Sequence, residues 1–593
     1  EGVGRLKRGV SVAAADSEMS ALWAQMIVEH PGNKDFRVLL VPLYREIVGA
    51  NERMLLVLLG AVGLVLLIAC ANAANLLLAR ATGRRREMAV RLALGAARGR
   101  LIRQMLTESM LISVLGGVGA AMIAVFGVKA MVAMLPAGFP RLHEIHVDLT
   151  VFAFTLLIAL ATGLLFGLAP AMQSSRADVQ QNLREGGRGS TGSVRHLRLR
   201  NWLVVSEVSL ACVLLIGAGL LLRSFLNLMR SDPGFRAEHV LTASVALPNE
   251  TYKDRAAGVS FYGRLLARLE SLPSVHAAGI ASDLPWTGYD DNLGGFDIEG
   301  KQPPPNDYFQ ARYHMASPDY FRALGIPLIS GRFFTAGDNR DAPKALIINR
   351  AMAQRYFPAE NAVGRRINFF NDHPTDKDWT TIVGVVGDVK DTPEKADAKM
   401  AFWWPMPQAP FGFPPDLMIT VRADADPALL VNAVRTSIRE LDPALAMSDV
   451  RLMEQIAGAT MRAPRLILFL VGLFAALAIT LAAIGTYGVI SYSVSQRTHE
   501  FGMRVALGAK PWDVLRLVLA QGLKLAVGGV LIGVGCALAL ARVLRNLLFE
   551  VSAADPLTFA IVAFIALGIA ILACYWPARR ATQADPMVAL RAE

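Results

Sequence analysis

The sequence predicts an α-helical membrane protein, with seven transmembrane helices in this chain and an extracytoplasmic α+β domain. Three observations carry that prediction. Of its 593 residues, 53% are hydrophobic and 18% charged, too apolar for a purely soluble chain and too charged for one buried wholly in lipid. Uncharged runs of the ~20 residues needed to cross a bilayer recur along it. Between two of them lies a long polar segment, from about Arg230 to Ala463, with the periodicities of strands and helices.

The uncharged runs are Met54 to Ala79, Met110 to Val128, Leu149 to Ser175, Leu466 to Gln496, Leu525 to Ala541 and Pro556 to Ala578; a seventh, Asn201 to Leu222, carries Glu207 near one end. Glu207 stands seven residues beyond Arg200, so its carboxyl is expected to snorkel to the cytoplasmic interface. From Arg80 to Arg103, Arg80, Arg84, Arg85, Arg86, Arg91, Arg98, Arg100 and Arg103 stand against the single acid Glu87, and Arg176, Arg184, Arg188, Arg195, Arg198 and Arg200 follow the third span. The positive-inside rule places both loops in the cytoplasm. That placement absorbs the net charge of +11, which alone would suggest nucleic acid as a partner; none is expected. The connections Pro136 to Asp148 and Phe549 to Asp555 are poor in Lys and Arg and lie outside with the long polar segment. Cys70, Cys212, Cys536 and Cys574 all fall in apolar runs and read as packing residues rather than disulfides or metal ligands. The chain opens on Glu1 with no signal peptide and is expected to lack its natural start.

The spans belong to a repeat. "RRREMAVRLALGA" at Arg84 to Ala96 returns as "QRTHEFGMRVALGA" at Gln496 to Ala509, with Glu87 and Glu500 separated by 413 residues. Asp148 to Glu185 aligns without gaps with Asp555 to Ala592, pairing Pro170 with Pro577, Asp178 with Asp585 and Leu183 with Leu590. So long a period marks two copies of a module rather than a solenoid, here in parallel orientation.

Inside the repeated motif, Glu87 and Arg91, and Glu500 and Arg504, are spaced i,i+4 with the acid first, the favourable order on a helix surface. Gly95 and Gly508 stand where a helix would stop, and Pro511 suits the first position of the next. Helix, sharp turn and new helix make a compact knob able to pass motion to or from a cytoplasmic partner. The alternative is an interfacial helix whose arginines meet anionic lipid heads; the second copy, with fewer basic residues, favours the first reading.

In the polar segment, "VLTASVALP", "VHAAGIASDLP", "TTIVGVVGDV" and "DLMITVRAD" read as strands, and "AGVSFYGRLLARLESL" and "PALLVNAVRTSIRELD" as helices. Strand, helix, strand at each end predicts a ferredoxin-like split βαβ core. Asp290 to Trp379, richer in Pro, Gly and Asn, is expected to form an inserted subdomain.

Catalytic signals are weak. Gly295, Gly300 and Lys301 have Walker A spacing, but Gln302 replaces the Ser or Thr that would hold magnesium and Pro303 to Pro305 would break the following helix. His143 and His146 are too closely spaced for a zinc protease pair. No serine lies in a nucleophile elbow. Neither enzymatic activity nor a cofactor or metal is therefore expected in this chain.

E-x-x-x-R-x-A-L-G-A, present as Glu87, Arg91 and Ala93 to Ala96 and again as Glu500, Arg504 and Ala506 to Ala509, resembles the loop between the second and third spans of MacB/FtsX-type ABC transporter permeases. "SPDYFRALGIPLISGRFF", "RYFPAENAVGRRI" and "IVGVVGDV" resemble that family's periplasmic domain. Two modules without an ATPase domain look most like the acidobacterial duplicated orphan permeases. The resemblance implies that the knobs are coupling helices that dock in a separate ABC ATPase subunit, through Glu87, Arg91, Leu94 and Gly95 and through Glu500, Arg504, Leu507 and Gly508. ATP would act through that partner. The implied setting is the bacterial inner membrane, multi-pass, with the large domain periplasmic.

The implied organisation runs from a remnant of a first periplasmic domain (1–50) to an FtsX-like three-helix module (51–185), a cytoplasmic linker (186–200), a first helix of the second repeat (201–229), a MacB-like periplasmic domain (230–463) and a second FtsX-like module (464–593). The implied function is mechanotransmission: ATP hydrolysis by the partner moves the periplasmic domains for efflux or export. The competing reading is a membrane regulator or sensor that controls an envelope partner by the same movement; a periplasmic adaptor or envelope protein is the further partner the resemblance implies.

Overall fold

The computed structural model describes the chain apart from residues 1–2, 30–37, 84–90, 92–96, 135–144, 176–190, 249, 253, 288–291, 304–308, 370–374, 391–397, 411–415, 425, 545–547 and 583–593. It divides into a helical unit (Glu1–Leu221, Ile467–Leu547, Ser552–Glu593) and an α/β unit (Leu222–Leu466, Leu548–Val551). In chain order the helices begin with α1 (Val12–Glu29), α2 (Leu43–Gly83), α3 (Arg98–Met134), α4 (Leu149–Ser175) and α5 (Thr191–Arg230).

The α/β unit opens with β1 (Val240–Ala246), α6 (Arg255–Glu270) and β2 (Val275–Ala281). Asp254 caps α6 by accepting the amide of Ala256, the arrangement expected of an N-terminal Asp. The inner face of α6 buries Phe261, Tyr262, Leu265 and Leu269, and the Tyr262 hydroxyl, taken out of water, donates to Val245 O at 3.0 Å. The chain returns to this sheet with β10 (Asp416–Ala423), α9 (Val431–Leu441) and β11 (Met447–Leu452). The order β11-β1-β10-β2, with β1 antiparallel to both β10 and β11, is the ferredoxin-like split βαβ pattern that the sequence predicts.

Between β2 and β10 lie β3 (Leu293–Ile298), β4 (Phe309–Ala316), α7 (Tyr320–Leu324), β5 (Leu328–Gly331), β6 (Ala345–Asn349), α8 (Arg350–Tyr356), β7 (Arg366–Asn368), β8 (Thr380–Val386) and β9 (Ala401–Pro405). Strands β4-β3-β7-β8-β6-β9 follow one another, and β9 pairs back on β4 in parallel from Arg312↔Ala401 to Ala316↔Pro405. These strands therefore close into a ring, with β5 joined to β8 outside it. The insert runs to Pro405 rather than ending near Trp379, because β8 and β9 are needed to close it. Phe296, Phe309, Phe402 and Trp404 fill its interior, with Phe369 4.8 Å from Trp404.

After α10 (Met453–Thr460) the helical unit resumes with α11 (Arg462–Gln496), α12 (Thr498–Ala506), α13 (Pro511–Leu544) and α14 (Pro556–Thr582). Among the described residues six helices are long and apolar enough to cross a membrane, and the seventh predicted span is the 27-residue helix α4, whose described apolar stretch is Leu149–Leu164. Large apolar side chains such as Ile123 (75% exposed) and Phe564 (79%) point outward from these helices, as lipid-facing residues do. Gly529 and Gly533 of α13 meet Val208 and Cys212 of α5 so closely that a Cβ at either would lie within 2.8 Å of them. Small residues therefore set that helix contact. Cys70, Cys212 and Cys574 are buried, whereas Cys536 is exposed and is not a packing residue.

Candidate functional site

The second knob is a defined solid. Arg504 Nη2 donates to Glu500 Oε1 at 2.7 Å across one turn of α12, both side chains being half exposed, so the pair orients the surface and stabilises it little. Gly508 ends the helix at φ +96°. There Ala509 N donates back to Arg504 O at 3.0 Å, the long bond of a left-handed glycine stop. Two residues on, Lys510 N donates to Asp513 Oδ2 at 3.1 Å, so the helix that Pro511 starts is capped from its third position. The turn between α12 and α13 is thus hydrogen-bonded at both ends.

Phe501 joins this solid to the membrane helices. It is 3% exposed and packs with Ile490 of α11, Val514 and Val518 of α13, and Cys574 and Ala578 of α14. One turn beyond Met503, Leu507 is 88% exposed, and Trp512 is 66% exposed at the start of α13. Apolar side chains presented in this way at a capped tip suit a partner's groove. Glu500, Arg504, Leu507 and Gly508 are thus brought together, and Phe501, Trp512 and Asp513 belong with them although the sequence reading did not single them out. Asp513 had a signal, three residues after a helix-starting Lys-Pro. Phe501 had only its place on the helix face opposite the exposed Leu507.

Of the first knob, Glu87, Leu94 and Gly95 lie outside the described residues. Arg91 is helical and half buried, and its Nη1 donates to Gln104 Oε1 of α3 at 3.2 Å.

Other candidates resolve into packing. The Walker-like turn holds Gly300 at φ +74°, and Lys301 Nζ is committed to Tyr356 O at 2.7 Å and to Glu360 at 3.5 Å. In the α/β unit His314 Nδ1 lies 2.8 Å from Asp283 Oδ1, under the Trp403 ring. The adjoining cleft holds about 40 Å³, an order of magnitude below the roughly 300 Å³ at which small-molecule sites begin. Among the described residues no group of His, Cys, Asp or Glu is arranged to hold a metal. Glu207 corrects the expectation of snorkelling: it is 0% exposed and its Oε1 accepts from Asn75 Nδ2 at 2.9 Å. Seven residues of helix place it about 10 Å from Arg200, and Arg200 itself lies over the Tyr492 ring at 3.9 Å.

The chain matches the FtsX-like permease C-terminal family twice, over residues 59–179 and 472–586, and the MacB-like periplasmic core domain over residues 151–440. It is 28% identical over 284 residues to the pyoverdine export ATP-binding/permease protein PvdT of Pseudomonas aeruginosa, which covers 46% of this chain and 41% of that protein. Against the macrolide export ATP-binding/permease protein MacB of Marinobacter nauticus the identity is 25% over 271 residues, 45% of this chain and 41% of that one. The chain thus spans about two-fifths of the length of these relatives. The solved periplasmic region of MacB from Actinobacillus actinomycetemcomitans covers 40% of this chain and 98% of its own at 14% identity and a TM-score of 0.26. At that score the likeness is loose, and the description of the α/β unit rests on its own strand order.

Proposed function

The chain belongs to the MacB/FtsX-type ABC transporter permeases, and from that premise we propose that it is a permease driven by a separate ATPase subunit, which moves its periplasmic domains to export a substrate. The observation that carries the proposal is the second knob: a short capped helix, fixed by Phe501 to three membrane helices, that presents Leu507 to solvent. A rigid link of that kind transmits a push along α11 and α13, whereas a flexible loop would absorb it. The first knob, with Glu87, Arg91, Leu94 and Gly95, takes the same part in the other repeat. One chain would then supply both docking points. ATP enters through the partner, and the setting is the inner membrane, with the α/β unit in the periplasm and an adaptor or envelope protein as its further contact.

The test is nucleotide-dependent capture of ATPase subunits from the host by the full-length protein in lipid nanodiscs, comparing wild type with Leu507→Asp and with Leu94→Asp, Leu507→Asp together. Leu507 is exposed enough that the change leaves the fold intact. One ATPase captured by wild type, weakened by the single change and lost in the double, supports coupling. Capture that is indifferent to both changes removes the knobs from the mechanism, and co-purification of an envelope enzyme with no ATPase favours the regulatory reading.

A further inference from the structure

Inside the helical unit, three helices place polar groups at one point. Asn72 and Asn75 come from α2, Glu207 from α5 and Gly485 from α11, and all three polar residues are buried. Two hydrogen bonds fix their orientation: Asn72 Nδ2 donates to Leu481 O at 2.8 Å, and Asn75 Nδ2 to Glu207 Oε1 at 2.9 Å. Each amide nitrogen makes one of these bonds, and the polar atoms turned toward Gly485 are oxygens. Among the described residues Asn75 Oδ1 and Glu207 Oε2 have no hydrogen-bond partner, and a Cβ built on Gly485 would overlap both Glu207 Oε2 and Asn72 Oδ1, so these two oxygens converge on the same bare Cα. Acceptors do not converge in a dry interior without a donor between them, and a buried, unpaired carboxylate is among the costliest groups a membrane interior can hold.

The two repeats meet here at equivalent positions. The family match begins at residue 59 in one and 472 in the other, the same 413-residue offset as Glu87 and Glu500. By that offset Asn72 corresponds to Gly485 and Asn75 to Gly488. One repeat supplies the amides and the other the space, and the Glu207 carboxyl fills that space.

We infer that Glu207 is a proton-binding site at the junction of the two repeats, its Oε2 carrying the hydrogen that bonds to Asn72 Oδ1. The neutral carboxyl then donates to Asn72 and accepts from Asn75. When the helices part and water enters, the O–H bond breaks, its electron pair stays on the carboxylate and the proton passes to water; closing requires the reverse. Separation of the repeats is therefore linked to release of one proton. Among the described residues the neighbours do not supply a counter-charge. On α2 the nearby titratable group is the buried thiol Cys70, and on α11 these are Tyr487, half buried, and Tyr492, which takes Arg200 over its ring. α13 packs Gly529 against Val208, and its Lys524 is exposed. Glu207 has its one hydrogen bond with Asn75, among the described residues.

The inference does not depend on a partner ATPase, and its test uses none. Infrared difference spectra of the full-length protein in nanodiscs, wild type minus Glu207→Gln, read the carboxyl directly. The expected result at neutral pH is a protonated-carboxyl C=O band that shifts in D2O, is unchanged by replacing choline chloride with sodium chloride, and gives way to carboxylate bands in alkaline buffer. In parallel, the thermal midpoint of wild type should fall between neutral and alkaline pH, while that of Glu207→Gln, whose amide makes the same two hydrogen bonds, should lack this fall. Carboxylate bands alone at neutral pH would overturn the inference. So would a protonated band lost on adding sodium, which would make the three oxygens a cation site, or an alkaline fall of equal size in Glu207→Gln.

Discussion

The two membrane repeats carry one pattern and diverge around it. In the second, Arg504 donates to Glu500 on its own helix; in the first, where Glu87 lies outside the described residues, Arg91 donates to Gln104 on the next helix. The position equivalent to Gln104 in the second repeat is Leu517, which packs around the cluster holding Phe501. At the junction Asn72 of one repeat faces Gly485 of the other, beside the Glu207 carboxyl. Duplication in a single chain lets equivalent positions diverge, so that two surfaces once alike can become donor and cavity. What stays common in the sequence is the acid and arginine four residues apart and the glycine that follows them.

The comparison can be broken most severely at Phe501. Phe501→Ala removes the side chain that fixes the knob to three helices, and should cost about 3–5 kcal/mol in reversible unfolding of the micellar protein. A second change makes the repeats alike. Gly485→Asn, which gives the second repeat the first repeat's residue, forces atoms into the space of Glu207 Oε2 and Asn72 Oδ1, and should cost about 3 kcal/mol, the upper end of overpacking. Double substitution with Glu207→Ala should recover part of that loss, since it empties the space.

Gly508→Ala is a milder test. No atom lies within 4 Å of a Cβ there, so only the positive φ is penalised, by about 1–2 kcal/mol, and Gly508→Asn should cost less than Gly508→Ala. Equal costs would mean that the turn does not hold its left-handed conformation in the membrane. Smallest of all, Glu500→Gln should change stability by no more than about 0.5 kcal/mol, an effect that shrinks further in high salt.

Much of the architecture was legible because it depends on local chemistry. The interval Leu149 to Ser175, free of charge and closed by Ser175, is the helix that forms, and the alternating strands and periodic helices at the two ends of the polar segment are the split βαβ core. The stop at Gly508 was readable because a glycine between a helical pattern and Lys-Pro has few other uses. The ring closure of the insert was not: pairing β9 with β4 joins residues almost ninety apart, and register at that range follows from how strands curl rather than from any one segment.

By itself, then, the sequence determined the spans, the duplicated module, the βαβ core and the turn of the knob, since hydropathy, periodicity and glycine conformation act over a few residues. Only the tertiary structure decided that Phe501 anchors the knob, that Cys536 faces outward and that Glu207 is enclosed. Burial depends on which helices pack together, and a lone acid near the end of an apolar run has the same local sequence whether it reaches water or meets an asparagine 132 positions away.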